Sequence, residues 1–205
     1  MKKYIIIIFS IVFTYIGYAQ NSKILIVYFS RVGNTLFKDN IDASTSASII
    51  ANNNRVGTTE YAANIIKNEL NADIRLIETV DKYTDNFDDL VDKNHEEMRN
   101  NYFPKIKPLN IDINKYNTVF IGYPVWANDV PMAVRSFIRD YNLSSKTIVP
   151  FCTHDGYGAG RSYNTIRNMI KNANILNGLA LDSSNIQYED GRIKSWIRNL
   201  KINNY

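Results

Sequence analysis

Apolar positions along this chain come in blocks, and the spacing inside the blocks switches between two kinds. Residues 24–29, Ile-Leu-Ile-Val-Tyr-Phe, form a nearly unbroken apolar and partly β-branched run. That is the length and character of a central parallel strand whose two faces are both covered. Further runs at 74–77, 119–121, 147–153 and 175–181 predict four more strands. Between them the spacing becomes that of a helix face. Ala62, Ile65, Ile66 and Leu70 follow a cap at Thr58 or Thr59, and Phe87, Leu90, Val91 and Met98 lie in a charged stretch over 85–100. Val134, Phe137, Ile138 and Tyr141 follow Pro131, a residue suited to a first helical turn. Ile166, Met169 and Ile170, then Ile193, Trp196, Ile197 and Leu200, mark two more.

Strands alternating with helices and no run of hairpins predict an α/β fold, a doubly wound five-stranded parallel sheet with helices on both faces. Right-handed crossovers leave few topologies. The order 2-1-3-4-5 brings the ends of strands 1, 3 and 4 around one switch point. Pro150 cannot donate to a ladder, so a bulge or irregular pairing is expected in strand 4.

The carboxyl ends of these strands carry the candidate chemistry. Strand 1 runs into Ser30, Gly33, Asn34 and Thr35, where amides and the positive end of the next helix would converge on an anion. An ordinary strand and turn is the plain alternative. No Gly-x-x-x-x-Gly-Lys-Ser/Thr is present, which argues against a nucleoside triphosphatase. The short pattern occurs twice, as Arg31-Val32-Gly33-Asn34-Thr35 and Arg55-Val56-Gly57-Thr58-Thr59. Helical spacing begins only after the second copy, so the helix end and its free amides belong there. A split phosphate loop is expected, with Ser30 from the strand and Gly57, Thr58 and Thr59 from the helix start. Asn34 and Thr35 would contribute only if the intervening segment, about 36–56, folds back. That segment is rich in Asp, Asn, Ser and Ala and reads as an inserted loop.

Strand 3 ends in Pro124-Val125-Trp126-Ala127, and strand 4 in Thr153-His154-Asp155-Gly156-Tyr157-Gly158-Ala159-Gly160. Trp126 and Tyr157 could cover a flat ring, and the glycines would let backbone amides reach its polar edge. Core packing for Trp126 and simple exposure for Tyr157 are the alternatives. A dinucleotide reading of the glycine turn fails because the third glycine of Gly-x-Gly-x-x-Gly falls at Arg161.

Composition narrows the setting. A chain of 205 residues suits one α/β domain, here 23–205, and 45% hydrophobic with 21% charged residues excludes wholesale disorder and a multi-span membrane protein. Residues 1–19 read separately. Lys2 and Lys3 precede an uncharged apolar run shorter than the roughly 20 residues of a spanning helix, and Gly17 and Ala19 supply small residues for cleavage. This is a signal peptide pattern, predicting an exported protein, periplasmic or extracellular, with no stable membrane span after cleavage. Cleavage takes Lys2 and Lys3 from the 24 basic residues and leaves 22 against 20 acidic, a net of +2. Nothing in that balance points to nucleic acid. Cys152 has no partner for an internal disulfide, and no Cys/His spacing suggests a metal.

The stretches Val27-Tyr28-Phe29-Ser30-Arg31-Val32-Gly33-Asn34-Thr35, Gly122-Tyr123-Pro124-Val125-Trp126, Pro131-Met132-Ala133-Val134-Arg135-Ser136-Phe137 and 150–162 together resemble the short flavodoxin-like family that binds flavin mononucleotide (FMN). The resemblance implies phosphate at the first loop and the isoalloxazine ring between the other two. The leader, the near-neutral charge and the insertion set the chain apart from simple flavodoxins. An electron carrier passing electrons to a redox protein or small-molecule acceptor is one function. An FMN-dependent NAD(P)H or quinone reductase is the alternative, with its catalytic residues open. Asp42-Ala43-Ser44-Thr45-Ser46-Ala47-Ser48 is also similar to the signal at which exported proteins receive covalent flavin, with Ser48 at the acceptor position; a Ser-rich turn is the other reading.

Overall fold

A computed structural model of the chain describes residues 23–36, 48–51, 54–200 and 202. The leader expected over 1–19 lies outside them, as do residues 37–47. In chain order the elements are β1 (Ile24–Tyr28), β2 (Ser48–Ala51), β3 (Asn54–Gly57), α1 (Thr58–Leu70), β4 (Asp73–Leu76), α2 (Phe87–Arg99) and β5 (Thr118–Pro124). Then follow α3 (Met132–Asp140), β6 (Thr147–His154), α4 (Ser162–Met169), β7 (Asn174–Ile175), β8 (Leu179–Asp182) and α5 (Asp190–Asn199).

β1 is buried over its full length and divides its side chains between two cores. Leu25, Val27 and Phe29 pack with Val134, Phe137 and Ile166, whereas Ile24, Ile26 and Tyr28 pack with Ala62, Ile66, Ile193 and Ile197. The period of two thus places α3 and α4 on one face and α1 and α5 on the other. Each fully buried aliphatic side chain contributes about 1.5–3 kcal/mol, which makes β1 the strand the others are built around.

The sheet runs β4-β1-β5-β6, all parallel, and β6 is completed on its far side by β7 and β8. These are five positions in the order 2-1-3-4-5, with the fifth strand in two pieces. The break has a cause in Pro150. Ile148 O accepts from Leu176 N (2.9 Å) while Thr153 O accepts from Val125 N (2.8 Å). Even-numbered residues of β6 therefore face the fifth strand, and the N–H that Pro150 lacks would point there. Between the pairs Ile148–Ile175 and Phe151–Leu179 the fifth strand carries one residue more than β6, so it bulges past the proline.

The segment read as an inserted loop over about 36–56 is not loop throughout. β2 and β3 form an antiparallel hairpin with Ser48 opposite Gly57 and Ile49 opposite Val56. Its strands are only 4 residues each, too short for the alternation to register against the polar sequence around them. The hairpin delivers the chain directly to α1, whose N-cap is Gly57 rather than either threonine.

Candidate cofactor cleft

After β1 the backbone turns tightly, Asn34 N donating to Arg31 O (3.0 Å). Asn34 is fully buried. Its amide donates to Ser30 O (2.9 Å) and Ile77 O (2.8 Å), and its side-chain oxygen accepts from Thr79 N (2.8 Å) and Thr79 Oγ1 (3.1 Å). Both ends of the carboxamide are therefore committed to joining the first loop to the segment beyond β4. Thr35 pairs with Tyr83 on that same segment, its hydroxyl buried and without a hydrogen-bond partner among the described residues.

The second copy of the pattern is placed differently. A Cβ on Gly57 would lie 1.9 Å from Ser30 Oγ, so the start of α1 sits directly against the end of β1. Thr58 and Thr59 open the helix, and their hydroxyls meet Thr153 Oγ1 at 3.4 and 2.8 Å. Glu60, in the first turn, accepts from Gly57 N (3.3 Å). The remaining first-turn amides have no intrahelical carbonyl to bond, and the helix dipole makes their surroundings favourable to an anion. Ser30, Gly57, Thr58, Thr59 and Thr153 are thus brought together from three chain segments. Asn34 and Thr35 engage the 77–83 segment instead.

From this point a cleft runs along the carboxyl edge of the sheet. Arg31 and Thr58 line its inner end, followed by Pro124, Val125 and Trp126 from the loop after β5 and by Thr153, His154, Asp155 and Tyr157 from the end of β6. Trp126 is half-buried and held edge-on by Phe29 (5.3 Å between centroids, 88°) and Tyr83 (5.2 Å, 87°). It packs on the core and lines the cleft at once. Tyr157 is exposed, its ring 6.3 Å from that of His154. The His154 Nδ1 atom is buried and has no hydrogen-bond partner among the described residues.

The two ring loops are fastened to each other. Trp126 and Asp129 exchange backbone hydrogen bonds (3.0 and 2.9 Å) across a turn in which Ala127 (φ 46°) and Asn128 (φ 63°) are both left-handed. Asn128 O accepts from Arg161 N (3.0 Å), and a Cβ on Gly160 would meet that oxygen at 2.5 Å, so only glycine fits there. Asp129 is 3% exposed and lies 2.8 Å from Arg135 and 2.7 Å from Arg161 Nε. Burial works against its charge, but hydrogen bonds from Thr165, Val130 N–H and Arg161, with the charge of Arg135, hold its carboxyl below the usual range. Gly156 (φ 84°) and Gly158 (φ 73°) have nothing among the described residues within 4 Å of a Cβ position.

Alanine in the left-handed region costs about 1–2 kcal/mol, of which the greater chain entropy of glycine returns a part. Ala127→Gly is therefore expected to stabilise the protein by about 0.5–1 kcal/mol in urea unfolding, and a loss of stability would show that the alanine methyl is needed for packing.

A flavodoxin family profile matches residues 47–200. The chain belongs to the flavodoxin family. Solved structures that this flavodoxin resembles include a candidate flavoprotein from Bacteroides eggerthii DSM 20697, with 26% identity, a TM-score of 0.68, and 89% of this chain and 99% of that one covered. A second, from Bacteroides uniformis ATCC 8492, has 21% identity, a TM-score of 0.67 and coverages of 87% and 99%. A flavoprotein from Lactobacillus acidophilus NCFM, solved in complex with FMN, has 19% identity, a TM-score of 0.59 and coverages of 82% and 97%. The last two show likeness of fold alone. No curated protein matches the chain.

Some cleft residues of this flavodoxin carry no signal in its sequence motifs. Phe87 and Leu90 of α2 read as one helix face, yet Leu90 is buried while Phe87 is 49% exposed, and both line the cleft. A large apolar residue at the first position of a charged helix was the available sign. Arg31 lies inside the first motif, 3% exposed, donating to Asp85 O (2.8 Å); burial lowers the pKa of its guanidinium, opposed by the charge of Asp85. Ser183, beyond β8, also lines the cleft. Among the described residues no helix is long and apolar enough to cross a membrane.

Proposed function

We propose that this flavodoxin binds FMN in the cleft at the carboxyl ends of β1, β5 and β6. It serves as an electron-transfer protein, exported by its leader to the periplasm or the cell exterior. The observation that carries the reading is the junction of Ser30 with Gly57 at the start of α1. A hydroxyl and helix-end amides converge there without a lysine, the donor set of a phosphate monoester. The ring end agrees with it. Trp126 is oriented by Phe29 and Tyr83, Tyr157 is free to cover a ring, and the backbone at Gly156 and Gly158 offers amides to its polar edge.

Bound FMN supplies reversible redox chemistry, and the protein's part is to hold the phosphate, orient the ring and limit its contact with water. Family membership and the FMN complex of the Lactobacillus neighbour support this choice of cofactor. Export rests on the sequence of residues 1–19, and the exchange partner is a redox protein or a small-molecule acceptor. A reductase acting on NAD(P)H or a quinone is the second reading; an apolar recess beside the cleft, with no lysine or arginine in its lining, favours the quinone. Ser48, the candidate for covalent attachment, lies in β2 with its backbone opposite Gly57.

Titration of protein starting near Gln20 with FMN and with riboflavin tests the cofactor assignment. FMN is expected to bind more than about tenfold more tightly, the equivalent of one charge-assisted hydrogen bond. Equal affinities would defeat it. Trp126→Ala is expected to weaken binding and to raise the fluorescence of the bound flavin, because an indole against the ring quenches it. Unchanged fluorescence would assign Trp126 to the core alone.

A further inference from the structure

Behind Trp126 the structure places a buried acid. Glu97, in α2, is 2% exposed, and among the described residues its carboxyl has no ion-pair partner and one hydrogen bond, accepted from Tyr83 OH at 3.1 Å. Lys93, one turn earlier, pairs with Glu96 instead (3.2 Å). The Tyr83 ring meets Trp126 edge-on, 5.2 Å between centroids, and Trp126 lines the cleft. Phe29 packs against both rings, at 6.0 and 5.3 Å. The path from the carboxyl to the cleft is therefore aromatic, and a charge behind such a wall is screened far less than one at the surface.

Glu97 also lines a cavity of about 340 Å³, the way in for a proton from solvent. The charged and titratable groups around it are Asp89, Lys93 and Glu96 of α2, Tyr83 and Tyr102, and Asp81, Lys82 and Lys105 along the cavity. Burial raises the pKa of Glu97 from 4.5 to about 7, against the hydrogen bond from Tyr83 and the charge of Lys93. Near neutrality this carboxyl has a proton to gain.

We propose that Glu97 takes up a proton when flavin in the cleft is reduced, acting on the cofactor through Tyr83 and Trp126 as a positioning residue. The inference rests on FMN occupying the cleft. Two electrons from the redox donor and one proton at the flavin N5 leave the ring with a negative charge. That charge attracts a second proton from solvent, which forms an O–H bond on the Glu97 carboxylate. Two electrons and two protons thus enter, one proton held by the ring and one by the protein. Across the two ring contacts, on the order of 12 Å, the new charge raises the proton affinity of the acid roughly tenfold at an effective dielectric constant near 20. Linkage runs both ways. Protonated Glu97 favours reduced flavin, so the flavin becomes harder to reduce as the pH rises through this window.

The test uses the full mature chain loaded with FMN, reduced by methyl viologen radical, a donor that carries no proton, in weakly buffered solution with an indicator dye. At pH 7.5 the wild type is expected to take up about half a proton more per flavin than Glu97→Gln. Tyr83→Phe keeps the ring but loses the hydroxyl that favours the carboxylate, and it should move the window of extra uptake to higher pH. Glu96→Gln, exposed and one residue away, should match the wild type. A second measurement needs no substitution. Carbon-13 NMR of the glutamate carboxyls follows the one that titrates near neutrality, whose proton affinity should rise roughly tenfold when the bound flavin is reduced. Equal uptake in wild type and Glu97→Gln would assign the second proton to the flavin itself and overturn the inference. A window unmoved in Tyr83→Phe, or a carboxyl titration indifferent to the oxidation state, would overturn it as well. FMN titration is run first. If FMN fails to bind, the cofactor assignment falls and this inference with it, whereas FMN binding with equal proton uptake removes this inference alone.

Discussion

Gly57→Ala is expected to lower FMN affinity about a hundredfold, two charge-assisted hydrogen bonds at the lower end of their range. The added Cβ would stand 1.9 Å from Ser30 Oγ and 3.1 Å from Ser30 Cβ. The serine hydroxyl must rotate out of the junction, and the first turn of α1 must draw back from the end of β1. The phosphate then loses the hydroxyl and the alignment of the helix amides together. Gly57 itself has an ordinary extended backbone (φ −67°), so it is the close approach and not the dihedral that excludes alanine. This separates binding from folding. Ser30→Ala combined with Gly57→Ala relieves the oxygen contact and should recover stability in unfolding experiments, but not affinity, since the hydroxyl stays absent. Thr35→Ala serves as the comparison, because Thr35 pairs with Tyr83 of the 77–83 segment and its loss should cost binding less. A larger loss at Thr35 than at Gly57 would place the phosphate on the first copy of the pattern.

Glu97→Gln is expected to stabilise the protein at pH 8 by about 2 kcal/mol and to flatten its dependence on pH, after allowance for solvent screening. Glu97 is 2% exposed in α2 and accepts from Tyr83 OH at 3.1 Å. Burial raises its pKa from 4.5 to about 7, against the opposing hydrogen bond from Tyr83 and the charge of Lys93, with Glu96 adding to the rise. A carboxyl whose folded pKa is raised binds its proton more tightly in the native state. Its stabilising contribution is complete below about pH 4.5 and disappears as the pH climbs through about 7. Glutamine keeps an oxygen for Tyr83 to donate to and never ionises. Urea unfolding of both proteins at pH 5 and pH 8 gives the comparison, and a wild-type slope retained by Glu97→Gln would show that the buried carboxyl is not its source. Because Tyr83 also holds Trp126 edge-on, bound-flavin fluorescence over the same range reports whether the titration reaches the cleft.

Much of this molecule is legible in its chain. The apolar blocks mark the strands and helices because burial on two faces demands unbroken runs, and burial on one face demands helical spacing. Pro150 announces an irregular neighbour because a missing N–H cannot be supplied from elsewhere. The duplicated Arg-Val-Gly pattern opens a helix only at its second copy, because helical spacing follows only there. Those readings depend on a residue and its near neighbours.

Tertiary structure alone decided the rest. Asn34 and Thr59 are similar polar residues in similar motifs, yet one is committed to Ile77 and Thr79 and the other to Thr153 across the sheet. Glu97 falls seven residues after Leu90 on the inward face of α2, and the hydroxyl that meets its carboxyl there, that of Tyr83, comes from another segment. Asp129 gains its two arginines, and Phe87 its place on the cleft, from elements distant in sequence. The chain determined which side of each strand and helix turns inward, because apolar periodicity is a local record of burial. Which polar groups meet at the sheet edge, and which of them are left to face a ligand, was decided by contacts between segments, because a hydrogen bond needs a partner that spacing along one element cannot name.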